Sequence, residues 1–223
     1  ITMKWGIIGA MPSEVTLLKQ QMQDICEVNV GRQVFWEGIL CNQEVVVSSC
    51  GIGKVNAAIT AQMMIDRFGA QRIINTGIAG AIHHDLKVLD VVVSRELCYH
   101  DYNARFLRDY PPYIDSIRAS DLMIEAAVEA FEAIDHGSSC CFVGKIASGD
   151  QFIESSEVKN KIVEMEGAAI GHACTVNDIP FVIIRTMSDN ADENAADSAT
   201  NFEEVAAKHS AGIVLEMLSR CKD

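Results

Sequence analysis

Basic residues are scarce: 18 lysines and arginines stand against 31 aspartates and glutamates, for a formal net charge of −13 at pH 7. A surface of that sign repels phosphate backbones, and no basic cluster offsets it, so nucleic acid is not an expected partner. Long apolar runs are missing as well. Stretches such as Val91–Ser94 and Phe181–Ile184 are far shorter than the roughly 20 residues of a spanning helix, so no membrane is expected either. The start, ITMKWGIIGA, has neither a charged n-region nor a long apolar h-region, which points away from a secretory leader and toward the cytoplasm. There are only four prolines and no repeat or linker-like tract, so residues 1–223 read as one domain, with Ile1 and Thr2 a remnant ahead of Met3. The eight cysteines form no CxxC pair, so reduced thiols are expected rather than disulfides. His83 and His84, the only histidine pair, have no Cys or carboxylate at ligand spacing, and neither a metal nor another cofactor is expected.

What is present is an alternation of short apolar runs with helical patterns. KWGIIGA (4–10) reads as a buried strand, and Ser13 as the cap of a helix from Glu14 to about Met22. Residues 34–40 and 43–50 read as a hairpin turning at Cys41 and Asn42. GIGKVNAAITAQMMIDRF (51–68) reads as a glycine turn leading into an amphipathic helix. Residues 72–81 read as a strand running into a glycine-rich turn, and 88–97 as a further strand. Helices are expected over 120–134, 155–162 and 203–219, and strands over 144–153 and 181–189. Strands that end in loops of Gly, Ser, Asp or Glu and continue into helices mark an α/β fold with a mixed central sheet flanked by helices. Ligands in such folds collect beyond the carboxyl ends of the strands.

Four loops there carry candidate chemistry. Glu14 follows the strand-ending Gly9, where a plain helix-start carboxylate would also be at home. SCGIGKVNAA (49–58) opens a helix with glycines but lacks the lysine-serine ending of a phosphate loop. Asp189 ends the apolar strand FVIIRTMSD after Ser188 and could equally be a turn residue. VEMEGA (163–168) holds Glu164 and Glu166; read as a strand, it points both to one side, with Glu166 at the mouth. Three carboxylates at three strand ends suit acid–base cleavage of a glycoside-like bond, with one activating water, one protonating the leaving group and one holding the sugar.

Together these loops resemble the 5′-methylthioadenosine/S-adenosylhomocysteine nucleosidases of the nucleoside phosphorylase superfamily. The matching stretches run in order along nearly the whole chain: GIIGAMPSEV, SCGIGKVNAA, NTGIAGA, VLDVVVS, YHD, SGDQFI, VEMEGAAI and RTMSD. The resemblance implies a nucleoside phosphorylase-like fold, a homodimer, and an adenine nucleoside and water as substrates. It implies that Glu14 activates the water attacking C1′ and that Asp189 protonates N7 of the departing adenine. Glu166 would bind the ribose hydroxyls and Met165 pack on the sugar. Phe152 would stack on the purine while Ile153 bonds its edge. Met11, Ile52 and Phe202 would line the 5′-alkylthio pocket, with Ser188 and Arg185 in support. Glu164 receives no role. The chain departs from the family at TGIAGA, where Ile78 replaces a hydroxyl near the water, and at Pro12 and Ser13, which replace an acidic pair.

Three alternatives stand beside hydrolysis of methylthioadenosine and adenosylhomocysteine. One is phosphorolysis, disfavoured because Glu14 would repel phosphate. Another is a different 5′-substituted adenosine, such as 6-amino-6-deoxyfutalosine or 5′-deoxyadenosine. The third is a sensor without turnover, which would not need both an acid and a base.

Overall fold

The computed structural model describes residues 3–81, 86–151, 162–189 and 195–221. It begins with β1 (Trp5–Gly9), buried at every position, and α1 (Pro12–Gln21), followed by β2 (Gln23–Val30), β3 (Gln33–Leu40) and β4 (Gln43–Ser49). Next come α2 (Lys54–Phe68), β5 (Arg72–Ala81), β6 (Val91–Tyr99), α3 (Arg105–Asp109) and β7 (Ile117–Arg118). The chain ends with α4 (Asp121–Ala133), β8 (Cys141–Ser148), β9 (Ile162–Glu164), α5 (Gly167–Val176), β10 (Phe181–Asp189) and α6 (Ala195–Arg220). The architecture is the expected α/β one, a mixed sheet flanked by helices.

The ten strands among the described residues form one sheet with two parts. An arm runs β5-β1-β4-β3-β2, parallel through β1 and antiparallel beyond β4. The rest closes on itself: β5 pairs β10, β10 pairs β6, β6 pairs β8, β8 pairs β9, and β9 returns to β5 at Gly80 and Ala81. Helices α1 and α4 each pack on α6, while α2 packs on α5. Near-continuous burial of β1, of β10 and of the first four residues of β6 fits strands covered on both faces.

The β3–β4 hairpin turns where expected. Cys41 and Asn42 both take left-handed backbone, as a type I′ turn requires. Four expectations change. Ser13 does not cap α1; the helix starts two residues earlier, with Met11 in the capping position and Pro12 at its first turn. TGIAGA is not a turn, because β5 runs through it to Ala81, its pairing with β10 continued by small residues. VEMEGA is a strand only to Glu164, and Glu166 is the cap residue of α5. β2 was not anticipated: an edge strand with mostly exposed side chains has no strong apolar alternation to announce it. The helix expected at 155–162 and the His83–His84 pair fall outside the described residues, apart from Ile162, which is in β9. All eight cysteines are free thiols, in keeping with the sequence.

Candidate active site

A cavity of about 190 Å³ lies at the carboxyl ends of β1, β5, β9 and β10. Its lining includes Met11 and Glu14 from the β1–α1 junction, Ile78 from β5, Glu164 through Glu166, and Arg185 and Ser188 from β10. The sheet topology explains the gathering. β5 pairs in parallel with both β1 and β10, so residues distant in sequence end side by side.

Glu14 is at the third position of α1 and is almost wholly buried. Its Oε2 accepts the backbone N–H groups of Ala10 at 2.5 Å and Met11 at 2.9 Å, and its Oε1 accepts that of Ile78 at 3.0 Å. The helix-start role is therefore real, yet the carboxylate also faces the cavity. Burial pushes its pKa above the ordinary carboxylate value, against the opposing pull of Arg185 and the three N–H donors. Gly77 makes the approach possible: a Cβ at that position would lie inside van der Waals contact of Glu14 Oε1 and Arg185 Nη1.

Arg185 is the buried cation at the centre. Its Nη2 donates to Glu164 Oε2 at 2.5 Å and to Asn75 Oδ1 at 2.6 Å, and lies 3.4 Å from Glu166 Oε2. Its Nη1 donates to the Ile78 carbonyl at 3.1 Å and is 3.8 Å from Glu14 Oε1. Burial alone would lower the guanidinium pKa, but the three carboxylates outweigh it and raise it.

The two glutamates of VEMEGA thus divide the labour. Glu164 is locked in place: besides Arg185 it accepts from Ser148 Oγ, from Glu166 N at 3.0 Å and from Gly167 N at 2.7 Å. Glu166 is held more lightly, by the backbone N–H of Gly53 at 2.9 Å and the edge of Arg185. Gly53 presents that N–H from a left-handed backbone, φ 102°, at the start of α2. Burial, with the negative Glu164 and Glu14 nearby, lifts the Glu166 pKa to about 7 despite Arg185. One guanidinium among three buried carboxylates leaves the cluster short of positive charge at neutral pH.

Among the other sequence candidates, Met11, Met165, Ile78 and Ser188 line the cavity, and Ile52 stands at its rim, 54% exposed. Asp189 is the last residue of β10, opposite Gly80 across a bulge in the ladder, which puts its backbone at the cavity's edge. Phe152 and Ile153 lie outside the described residues. Phe202 is 40% exposed and does not line the cavity; its neighbour Glu203 does. Glu164 was seen in the sequence but given no role, and Asn75, Ser148 and Glu203 were not singled out. A signal existed for the first: an arginine inside the apolar strand FVIIRTMSD needs an equally buried anion. Among the described residues, no group of His, Cys, Asp and Glu is arranged to hold a metal ion.

Comparison with known proteins gives a consistent result. The pattern of the Phosphorylase superfamily matches residues 4–219. A 5′-methylthioadenosine/S-adenosylhomocysteine nucleosidase from Staphylococcus aureus strain JH9 is 39% identical over 228 aligned residues, covering 96% of this chain and 99% of that one. The crystal structure of such a nucleosidase from Neisseria meningitidis, in complex with methylthio-immucillin-A, superposes with a TM-score of 0.90 at 36% identity over 98% of this chain and 99% of the other. The Colwellia psychrerythraea 34H enzyme, in complex with adenine, gives 0.90 at 35% identity over 98% and 95%.

Proposed function

The chain belongs to the 5′-methylthioadenosine/S-adenosylhomocysteine nucleosidase family within the phosphorylase superfamily, and on that premise we propose that it hydrolyses the N-glycosidic bond of both nucleosides, releasing adenine and the 5-thioribose sugar. Water attacks C1′ and gives a proton to Glu14, while the C1′–N9 bond breaks and Asp189 supplies a proton to N7 of the leaving base. Glu166 holds the 2′- and 3′-hydroxyls and Met165 packs on the ribose. Phe152 and Ile153 hold the purine. The transition state carries positive charge on the sugar, and a pocket rich in buried carboxylate stabilises it. The raised pKa of Glu14 matches a base that must pick up a proton near neutral pH.

The observation that carries hydrolysis over phosphorolysis is what Glu14 occupies. The backbone donors of Ala10, Met11 and Ile78, which would otherwise welcome an oxyanion, already hold its carboxylate. Phosphate would have to displace a buried anion. Adenine release from each nucleoside, measured with and without phosphate, tests this: equal rates are expected, and release only with phosphate would refute it.

The proposed working form is a cytoplasmic homodimer. Supporting it is a run of exposed apolar side chains: Ile52 ahead of α2, Val55 and Ile59 along it, Tyr102 and Phe106 before and within α3, and Val176 at the end of α5. Such a patch is unusual on a monomer. No described helix is long and apolar enough to cross a membrane. Light scattering on Val55→Glu/Ile59→Glu, expected to read as monomer, checks the dimer.

A further inference from the structure

We propose that Glu203 determines specificity at the 5′ end of the nucleoside, receiving the ammonium of the α-amino-acid tail of S-adenosylhomocysteine. The proposal rests on the nucleosidase reading and adds to it a subsite and a substrate preference.

Glu203 stands on α6 in a double position. It lines the inner cavity, and it also lines a second groove of about 500 Å³ outside it, with Ser13, Thr16 and Gln20 of α1 and Glu204 and Lys208 of α6. Its half-buried carboxylate is the boundary between the two spaces. Ser13, not needed as a helix cap, donates its hydroxyl to Glu203 Oε1 at 2.9 Å and fixes the side chain. A carboxylate has about four acceptor sites, so that bond leaves capacity for a further donor.

Substrate geometry leads to this boundary. With the ribose hydroxyls on Glu166 and C1′ facing Glu14, the proposal directs the 5′ carbon toward Met11, Ile52 and Glu203, which also line the cavity. Met11 and Ile52 suit a methylthio group, which ends there. A homocysteine tail is longer and ends in an ammonium and a carboxylate. Beyond Glu203 it enters a groove carrying both signs, with Lys208 2.7 Å from Glu204 as the cation among the lining residues. Glu203 then meets the ammonium and Lys208 the carboxylate. A nucleoside bearing an anionic 5′ group, such as a phosphate, meets Glu203 first and is rejected.

The test compares kcat/KM for adenine release in the wild type and Glu203→Gln, which keeps the shape and an acceptor for Ser13. Four substrates are used: methylthioadenosine, S-adenosylhomocysteine, its analogue lacking the ammonium, and its analogue lacking the carboxylate. The ratio of S-adenosylhomocysteine to methylthioadenosine is expected to fall about fivefold in the variant, the upper end for a partly exposed charge pair. The analogue that keeps only the ammonium should fall with it. With the wild-type enzyme, which needs no variant to fold, the analogue without the ammonium should be the poorer tailed substrate. A ratio unchanged within about twofold, or equal use of S-adenosylhomocysteine and the ammonium-free analogue, would overturn the proposal. Failure of the wild type on methylthioadenosine itself would instead overturn the nucleosidase reading on which it depends.

Discussion

Replacing Glu164 with glutamine tests whether the buried cluster is organised as described. The substitution keeps the volume but removes the nearest counter-charge of Arg185 and turns one acceptor into an amide donor. That donor would face Ser148, two backbone N–H groups or the guanidinium, all of which donate already. Removing one partner of a buried pair typically costs 3–5 kcal/mol; with Glu14 and Glu166 still beside Arg185, about 2–4 kcal/mol is expected. At roughly 2–4 °C per kcal/mol for a chain of this size, the melting temperature should fall by about 10 °C in calorimetry. A second effect runs through Glu166. Its pKa is raised from the ordinary 4.5 to about 7, in part by the charge of Glu164. Between those two pH values the folded state keeps a proton that the unfolded chain releases, so stability falls as pH rises across the window, by about 3 kcal/mol at 1.36 kcal/mol per pH unit. Without Glu164 the folded pKa drops and this slope shrinks. A melting temperature within about 2 °C of the wild type, together with the same slope between pH 4.5 and 7, would refute the assignment of Glu164 as Arg185's counter-ion.

Glu14→Gln should lower turnover by about 10²–10⁴-fold, the usual contribution of a positioned base, with the circular dichroism of the folded chain retained; an active variant would mean that another group activates the water. Asp189→Asn should do likewise, and unchanged adenine release would remove Asp189 from the mechanism. Gly77→Ala should both destabilise, by about 1–3 kcal/mol in urea unfolding, and depress turnover, because the added methyl meets Glu14 and Arg185.

How far the sequence revealed the molecule depended on whether each signal was local. The buried strands β1, β6 and β10, the amphipathic helices α2 and α4, and the hairpin at Cys41–Asn42 were all visible as period, composition and turn chemistry. The placement of Glu14 and Glu166 at strand ends followed from the same logic, whereas the part of Arg185 came only with the resemblance to the family. What escaped depended on partners far along the chain. The duty of Glu164 is set by Arg185, twenty-one residues away in sequence but 2.5 Å in space. Ser13 reads as a cap until Glu203, 190 positions on, proves to be its partner. The glycines of NTGIAGA signal a turn locally; the flanking β10 and the crowding of Gly77 by Glu14 and Arg185 make them a strand instead.

The position of β10 has a consequence for how the protein is made. Of the ten described strands it is the last to be synthesised, yet it pairs with both β5 and β6. Until residues 181–189 have left the ribosome, the apolar edges of β5 and β6 have no β10 to pair with and are open to other extended chains. Arg185, the cation set among Glu14, Glu164 and Glu166, arrives on the same strand. A nascent chain stopped before it therefore has neither a closed ring of strands nor a cation among those carboxylates, so closure of the ring and completion of the cavity are one late event.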